Sequence, residues 1–102
     1  MKILIHSEPF TTETGYTFNG LEIAYDTWGT LNETADNVIW VCHALTASSD
    51  VTAWWPGMVG EGLAFDTKKY FTVCVNILGS CYGTTGPLSI NPATGEPWFN
   101  DF

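Results

Sequence analysis

The chain has 102 residues, enough for one small domain, and its 45% hydrophobic and 15% aromatic content excludes a disordered segment. Three Lys and no Arg against 11 acidic residues give a net charge of -8, so the basic surface of a nucleic-acid-binding protein is absent. No apolar run approaches the roughly 20 residues that cross a membrane, so no membrane association is expected. The three cysteines lack secreted-type spacing, which predicts free thiols in a reducing, cytoplasmic setting.

The first part of the chain predicts a β-hairpin. A short strand is expected at residues 2–6, before a polar stretch. Apolar residues then alternate with polar or small ones over 21–28, which is the period of a strand. The dipeptide Asn19-Gly20 is a strong hairpin signal, so residues 16–18 are predicted to pair with residues 21–28. Residues 29–37 have the turn-forming composition of a loop.

Two apolar segments predict the centre of a parallel sheet. Val38–Cys42 is apolar at every position, which is typical of an interior strand that is covered on both faces. Tyr70–Asn76 is a second predicted strand, and its face with Phe71, Val73 and Val75 also needs a covering layer. A strand, a crossover and a strand together predict a right-handed parallel βαβ unit, and hence an α/β fold.

The crossover between these strands predicts one short helix. Ser48, Ser49 and Thr52 are candidate helix caps, and Pro56 suits a first helical turn. Apolar residues recur at roughly helical spacing between 54 and 59, but several glycines shorten any helix there.

The loop His43-Ala44-Leu45-Thr46 directly follows the first apolar strand. Ligands and catalytic groups collect beyond such strand ends in open α/β sheets, and backbone N–H groups there can stabilise an oxyanion. From spacing alone, an ordinary strand-to-helix connection is favoured. His43 can serve as a general base, although a lone histidine at a strand end is more often a structural residue.

A second candidate is the G-x-C-x-G run at residues 79–83, which resembles a nucleophile elbow with Cys81 as the nucleophile. An elbow needs a helix directly after it, and the following Thr84-Thr85-Gly86-Pro87 does not supply a long one. A structural or pocket-lining thiol is therefore favoured at Cys81. No G-x-S-x-G run and no zinc-ligand spacing occur in the sequence, and residues 78–102 predict neither a helix nor a long strand.

Three stretches resemble the opening part of the homoserine O-acetyltransferases, in the α/β-hydrolase superfamily: YDTWGTLN, VCHALTASS and KKYFTVCVNILGSCYGTTGPLSINPATGEP. The resemblance covers nearly all of the chain from Leu21 onward. It implies transfer of acetyl from acetyl-CoA to the homoserine hydroxyl, towards methionine, through a Ser-His-Asp triad and an acyl-serine. It also implies that the Leu45 N–H is one oxyanion donor and that Thr46 lines the same pocket.

The resemblance further implies that residues 1–102 are the N-terminal portion of a single α/β-hydrolase domain, incomplete in this chain. The nucleophile, the rest of the triad and the Arg for the substrate carboxylate are expected beyond residue 102. The segment alone is thus expected to be inactive, without metal or tightly bound cofactor, and to need the remaining enzyme or another copy to cover its sheet. The donor, acetyl or succinyl, stays open. Two alternatives also stay open: a small acidic binding module, and a thiol hydrolase that uses Cys81.

Overall fold

A computed structural model describes residues 1–99 and contains four strands and one helix. These are β1 (Lys2–Thr11), β2 (Thr17–Trp28), β3 (Val38–Val41), α1 (Val51–Trp54) and β4 (Phe71–Val75). The strands form a sheet in the order β1-β2-β4-β3, in which β3 is parallel and β2 antiparallel to β4. The predicted parallel strand–helix–strand arrangement is therefore confirmed.

The chain divides into two compact units. The crossover unit comprises Met1–Lys2 and Tyr25–Val75, and so contains β3, α1 and β4. The hairpin unit comprises Ile3–Ala24 together with the chain from Asn76 onward.

One face of the crossover unit's sheet is covered by α1. Val41 and Cys74 are register partners on β3 and β4, so their side chains lie on the same face. Both pack against Val51, and all three are buried. Half-buried apolar side chains surround this cluster: Trp28, Ile39, Trp54, Val59 and Phe65. Burial of these apolar groups is what holds α1, a single helical turn, against the sheet.

The opposite face of β3 is open in the described part of the chain. Val38 and Trp40 are 45% and 60% exposed, and their register partners Phe71 and Val73 are only half-buried. Both faces of β3 are apolar, but only one is covered. Within residues 1–99, β4 lies between β2 and β3, so β3 is at the edge of the described part of the sheet.

The cap of α1 differs from the prediction. Asp50, not one of the predicted serines or threonines, precedes the helix, and its carboxylate accepts a hydrogen bond from the Thr52 N–H at 3.2 Å. The Ser49 hydroxyl bonds elsewhere, to Asp26. Pro56 was also misplaced by the prediction, because it follows the helix and no i→i−4 bond can form at its nitrogen.

The hairpin turn is in a different place from the prediction. The chain reverses over residues 12–16, where Gly15 has a φ of 91° and its N–H donates to the Thr12 carbonyl at 2.9 Å. The dipeptide Asn19-Gly20 lies inside β2, so the predicted turn there was wrong. Gly20 has a φ of 118°, and the buried Phe18 and Leu21 on either side are three residues apart instead of two. An extra residue of this kind has the effect of a β-bulge.

An aromatic cluster forms the core of the hairpin unit. Phe18, Leu21 and Trp98 are buried together, and the Phe18 ring lies 4.8 Å from both the Tyr16 and the Trp98 ring centroids. Such tilted and edge-on pairs contribute beyond the apolar area that they bury. As predicted, the described residues after β4 form neither a helix nor a long strand.

Candidate active-site loop

The candidate oxyanion loop, residues 42–50, joins the end of β3 to α1. Leu45 stands at its tip, with 94% of its surface exposed. The described part of the chain provides no hydrogen-bond acceptor for the Leu45 N–H. An unpaired backbone N–H beyond the carboxyl end of a parallel strand is the kind of donor that an oxyanion hole uses.

The loop tip is a tight turn. The Ala47 N–H donates to the Ala44 carbonyl at 2.9 Å, which makes Leu45 and Thr46 the two central residues. Thr46 has a φ of 71°, the left-handed conformation that a type II turn requires at its third residue. Glycine or asparagine normally occupies this position, and a β-branched residue there is strained. Backbone strain of this kind is concentrated at functional sites, where the surroundings enforce it.

His43 has a local structural role in this loop. Its ring is half-buried, and Nδ1 lies 2.9 Å from the carbonyl oxygen of Ala44. Because a carbonyl only accepts, Nδ1 is the donor in this bond. This geometry agrees with the structural interpretation of His43 that the sequence favoured.

The far end of the loop is held by two side chains. The Trp54 indole N–H donates to the Ser48 carbonyl at 2.8 Å. The Ser49 hydroxyl donates to an Asp26 carboxylate oxygen at 2.6 Å, and Ser49 is only 1% exposed. The sequence analysis missed Asp26. Its signal in the sequence was a carboxylate between the aromatic residues Tyr25 and Trp28 of the predicted strand.

Burial and nearby charges keep the Cys74 thiol neutral and the Asp26 carboxylate ionised. Burial, and then the nearby Asp26 charge, raise the pKa of Cys74. Partial burial acts to raise the pKa of Asp26, but the Ser49 hydrogen bond and the Met1 amine, 3.0 Å away, outweigh it and hold that pKa below its ordinary value. The inert buried thiol is therefore not a nucleophile candidate.

The Cys81 segment lacks the geometry of a nucleophile elbow. No helix follows Cys81 in the part of the chain up to residue 99. Cys81 is exposed and lines a cavity of ≈ 390 Å³. A Cβ at Gly86 would lie 2.5 Å from the Ser80 carbonyl oxygen, so the segment is packed too closely for any other residue there.

Two buried threonines give this segment a structural role. The Thr84 hydroxyl accepts from the Ala24 N–H at 2.9 Å and donates to the Asn76 carbonyl at 2.8 Å. The Thr85 hydroxyl accepts from the Glu22 N–H at 3.0 Å, and the Thr85 N–H donates to the Glu22 carbonyl. Both threonines are nearly inaccessible to solvent. They satisfy backbone groups of β2 that would otherwise be buried without partners.

Residues 1–99 contain neither a metal-binding cluster nor a membrane-spanning helix. No three His, Cys, Asp or Glu side chains in this range are grouped so that they could hold a metal ion. No helix in the same range has the length and apolar character needed to cross a membrane.

The sequence is similar to segments of homoserine O-acetyltransferases. Homoserine O-acetyltransferase of Chlorobium luteolum is 60% identical over 96 residues, which are 94% of this chain and 27% of that protein. The enzyme of Chlorobaculum tepidum is 55% identical over the same shares of the two chains. The chain therefore spans about 27% of the length of the curated relatives that it matches. No family model matches the sequence.

Solved structures show the same similarity as the sequences. The homoserine O-acetyltransferase of Bacillus anthracis superposes with a TM-score of 0.80 at 37% identity, over 95% of this chain and 30% of that one. A mutant of esterase E22 gives a TM-score of 0.81 at 31% identity with the same coverage. Both share the α/β-hydrolase fold. The resemblance found in the sequence is confirmed: over the part of those enzymes that it spans, this chain is similar to homoserine O-acetyltransferases in both sequence and structure.

Proposed function

We propose that this chain is the part of an acyltransferase that supplies an oxyanion donor and a wall of the acyl pocket. The enzyme would transfer acetyl from acetyl-CoA to the hydroxyl of L-homoserine, a step of methionine biosynthesis, in the cytoplasm. The observation that carries the proposal is the N–H of Leu45, unpaired within residues 1–99, at the exposed tip of the loop after β3. The three cysteines, free in the described structure, suit a reducing compartment.

The chemistry proposed for the complete enzyme is a ping-pong acyl transfer. A serine Oγ outside this chain attacks the thioester carbonyl, its proton passes to a histidine, and the coenzyme A thiol leaves. The homoserine hydroxyl then attacks the acyl-serine carbonyl, and the serine leaves with the returned proton. Each attack places negative charge on the carbonyl oxygen, and the Leu45 N–H would donate to that oxyanion. Thr46, next in the loop, would contact the acyl group or the substrate.

The segment is proposed to work only within the complete enzyme. It has no G-x-S-x-G run, and the serine nucleophile would come from the part of the enzyme that this chain does not span. The open apolar face that carries Val38 and Trp40 would be covered by that same remainder.

A chimera tests this function. In the chimera, the present chain replaces the matching segment of the Chlorobium luteolum enzyme, to which it is 60% identical. We expect the chimera to acetylate homoserine from acetyl-CoA, with succinyl-CoA as the competing donor, and the 102-residue chain alone to be inactive. A folded chimera that acetylates no homoserine, or turnover by the isolated chain, would contradict the proposal.

A further inference from the structure

A buried hydrogen bond links β2 to the end of the candidate oxyanion loop. The Ser49 hydroxyl donates to the Asp26 carboxylate at 2.6 Å, across 23 residues of sequence. Ser49 is 1% exposed and the Asp26 side chain 19% exposed. A charge-assisted hydrogen bond that is this short and this well shielded is among the stronger ones in proteins, so it restricts where Ser49 lies.

The sheet explains how Asp26 reaches the loop. Asp26 pairs with Cys74 across β2 and β4, and Cys74 pairs with Val41 across β4 and β3. The three residues thus form one row on the face that α1 covers, and Val41 is the last residue of β3 before the loop. A carboxylate in such a row loses hydration, which costs free energy unless donors replace the water. The Ser49 hydroxyl is one such donor.

The tip of the loop is exposed. Ala44, Leu45 and Thr46 are all exposed, and a backbone hydrogen bond from Ala47 to Ala44 spans the turn. Displacement of either end of the loop would move this turn, and with it the Leu45 N–H. The strand fixes one end, and Ser48 and Ser49 fix the other.

We propose that Asp26 is a positioning residue that acts through the Ser49 hydroxyl to hold the oxyanion loop, and so the Leu45 N–H, in its reactive place. This inference rests on the proposed function, because the position of the loop matters only if the Leu45 N–H is an oxyanion donor. Neither Asp26 nor Ser49 contacts the reacting atoms in this scheme. A displaced oxyanion donor weakens the binding of the transition state more than the binding of the substrate, so kcat falls while KM is retained.

The test uses the chimera with the variants Ser49→Ala, Asp26→Ala, the double variant and Asp26→Asn. We expect Ser49→Ala and Asp26→Ala each to lower kcat at least about tenfold, with KM for homoserine within about twofold, since small displacements of catalytic groups have effects of this order. The double variant should lose no more than either single one, because the two residues act as a unit. Asp26→Asn retains an oxygen that accepts from Ser49 and should keep most of the activity.

Thr34→Ala is the matched control. The Thr34 hydroxyl also donates to a carboxylate, that of Asp36 at 2.8 Å, but in the exposed loop before β3. Removal of that bond should leave kcat unchanged. Hydrogen exchange of residues 43–48 gives a second measurement that needs no turnover, and it should accelerate in Ser49→Ala and not in Thr34→Ala.

Each variant is also assayed for hydrolysis of p-nitrophenyl acetate, which needs an oxyanion donor but no homoserine. A chimera that cleaves this ester and does not acetylate homoserine would refute the proposed function while the positioning role is still measured on the ester. The positioning role is refuted if Ser49→Ala keeps its kcat and its loop exchange, or if Asp26→Asn loses as much activity as Asp26→Ala. A chimera inactive in both reactions refutes both proposals.

Discussion

The loops that follow the two parallel strands hold their shapes through different contacts. Residues 42–50, after β3, have an exposed tip and are held at the end next to α1, where side chains of Asp26 and Trp54 bond Ser49 and Ser48. Residues 76–86, after β4, are held near their far end, where Thr84 and Thr85 are buried and bond the backbone of β2. The second loop contains a thiol in a nucleophile-like motif, and the first contains an exposed thiol, Cys42, outside any such motif. The difference teaches that a catalytic role is proposed for the first loop because of the exposed N–H at its tip, and not because of a reactive side chain.

The largest effect should come from the donor itself. Leu45→Pro removes the N–H at the tip of the first loop, and the loss of one oxyanion donor lowers kcat by about 10²–10³. Leu45→Met retains the N–H, and because the side chain is almost fully exposed it should change turnover little. Turnover is measured in the chimera, with circular dichroism as the check on folding. A folded Leu45→Pro chimera with normal turnover would remove Leu45 from the mechanism.

The open sheet face should give the next largest effect. Trp40 is 60% exposed in the described chain, but in the chimera the remaining enzyme is expected to cover it. Trp40→Ser should therefore destabilise the chimera by about 3 kcal/mol, the scale of large-to-small changes at buried aromatic positions. In the isolated chain the same change should reduce self-association, because it removes apolar surface from an edge strand. Unfolding in urea and sedimentation measure the two effects, and equal behaviour in both proteins would show that this face has no covering layer.

The second loop should respond in stability and not in chemistry. Thr84→Val removes a hydroxyl that is both acceptor and donor, and so removes the acceptor of the Ala24 N–H. An unsatisfied buried polar group costs about 1–3 kcal/mol. We expect a loss of that size in urea unfolding of the chimera, with kcat unchanged. Thr94→Val is the control, since Thr94 is exposed and accepts only a 3.3 Å bond from the Glu96 N–H.

Local patterns were sufficient for some of these features and not for others. The parallel pair β3–β4 follows from two apolar runs separated by a crossover, and the loop at residues 43–46 is found because it directly follows one of them. The Asn19-Gly20 turn was mispredicted because the dipeptide also suits a bulge, and only the burial of Phe18 and Leu21 distinguishes the two. The contact between Asp26 and Ser49 could not be predicted, since it depends on which strand lies beside β4.

A smaller effect is expected from acid. The pKa of Asp26 lies below its ordinary value of 3.8, so the ionised carboxylate stabilises the folded state at pH values above 3.8. That stabilisation is lost as the pH falls below 3.8, through the lower folded-state pKa. Asp26→Asn should therefore lower the stability of the chimera at neutral pH. The difference in stability between this variant and the unsubstituted chimera should become smaller as the pH falls. Urea midpoints between pH 3 and pH 7 measure this, and a difference that stays constant with pH would contradict it.

The smallest effect is expected at Cys81. Cys81→Ser should leave homoserine acetylation in the chimera nearly unchanged, because no helix follows this residue within residues 80–99 and the neighbouring threonines serve the backbone. The rate of thiol labelling in the same protein measures how exposed each cysteine is, whether or not it takes part in catalysis. Cys81 is exposed in this chain and Cys74 is buried with a raised pKa, so a maleimide should modify Cys81 much faster than Cys74. If Cys81→Ser abolished turnover in a folded chimera, the thiol hydrolase would replace the acyl-serine mechanism, and the second loop would be the catalytic one.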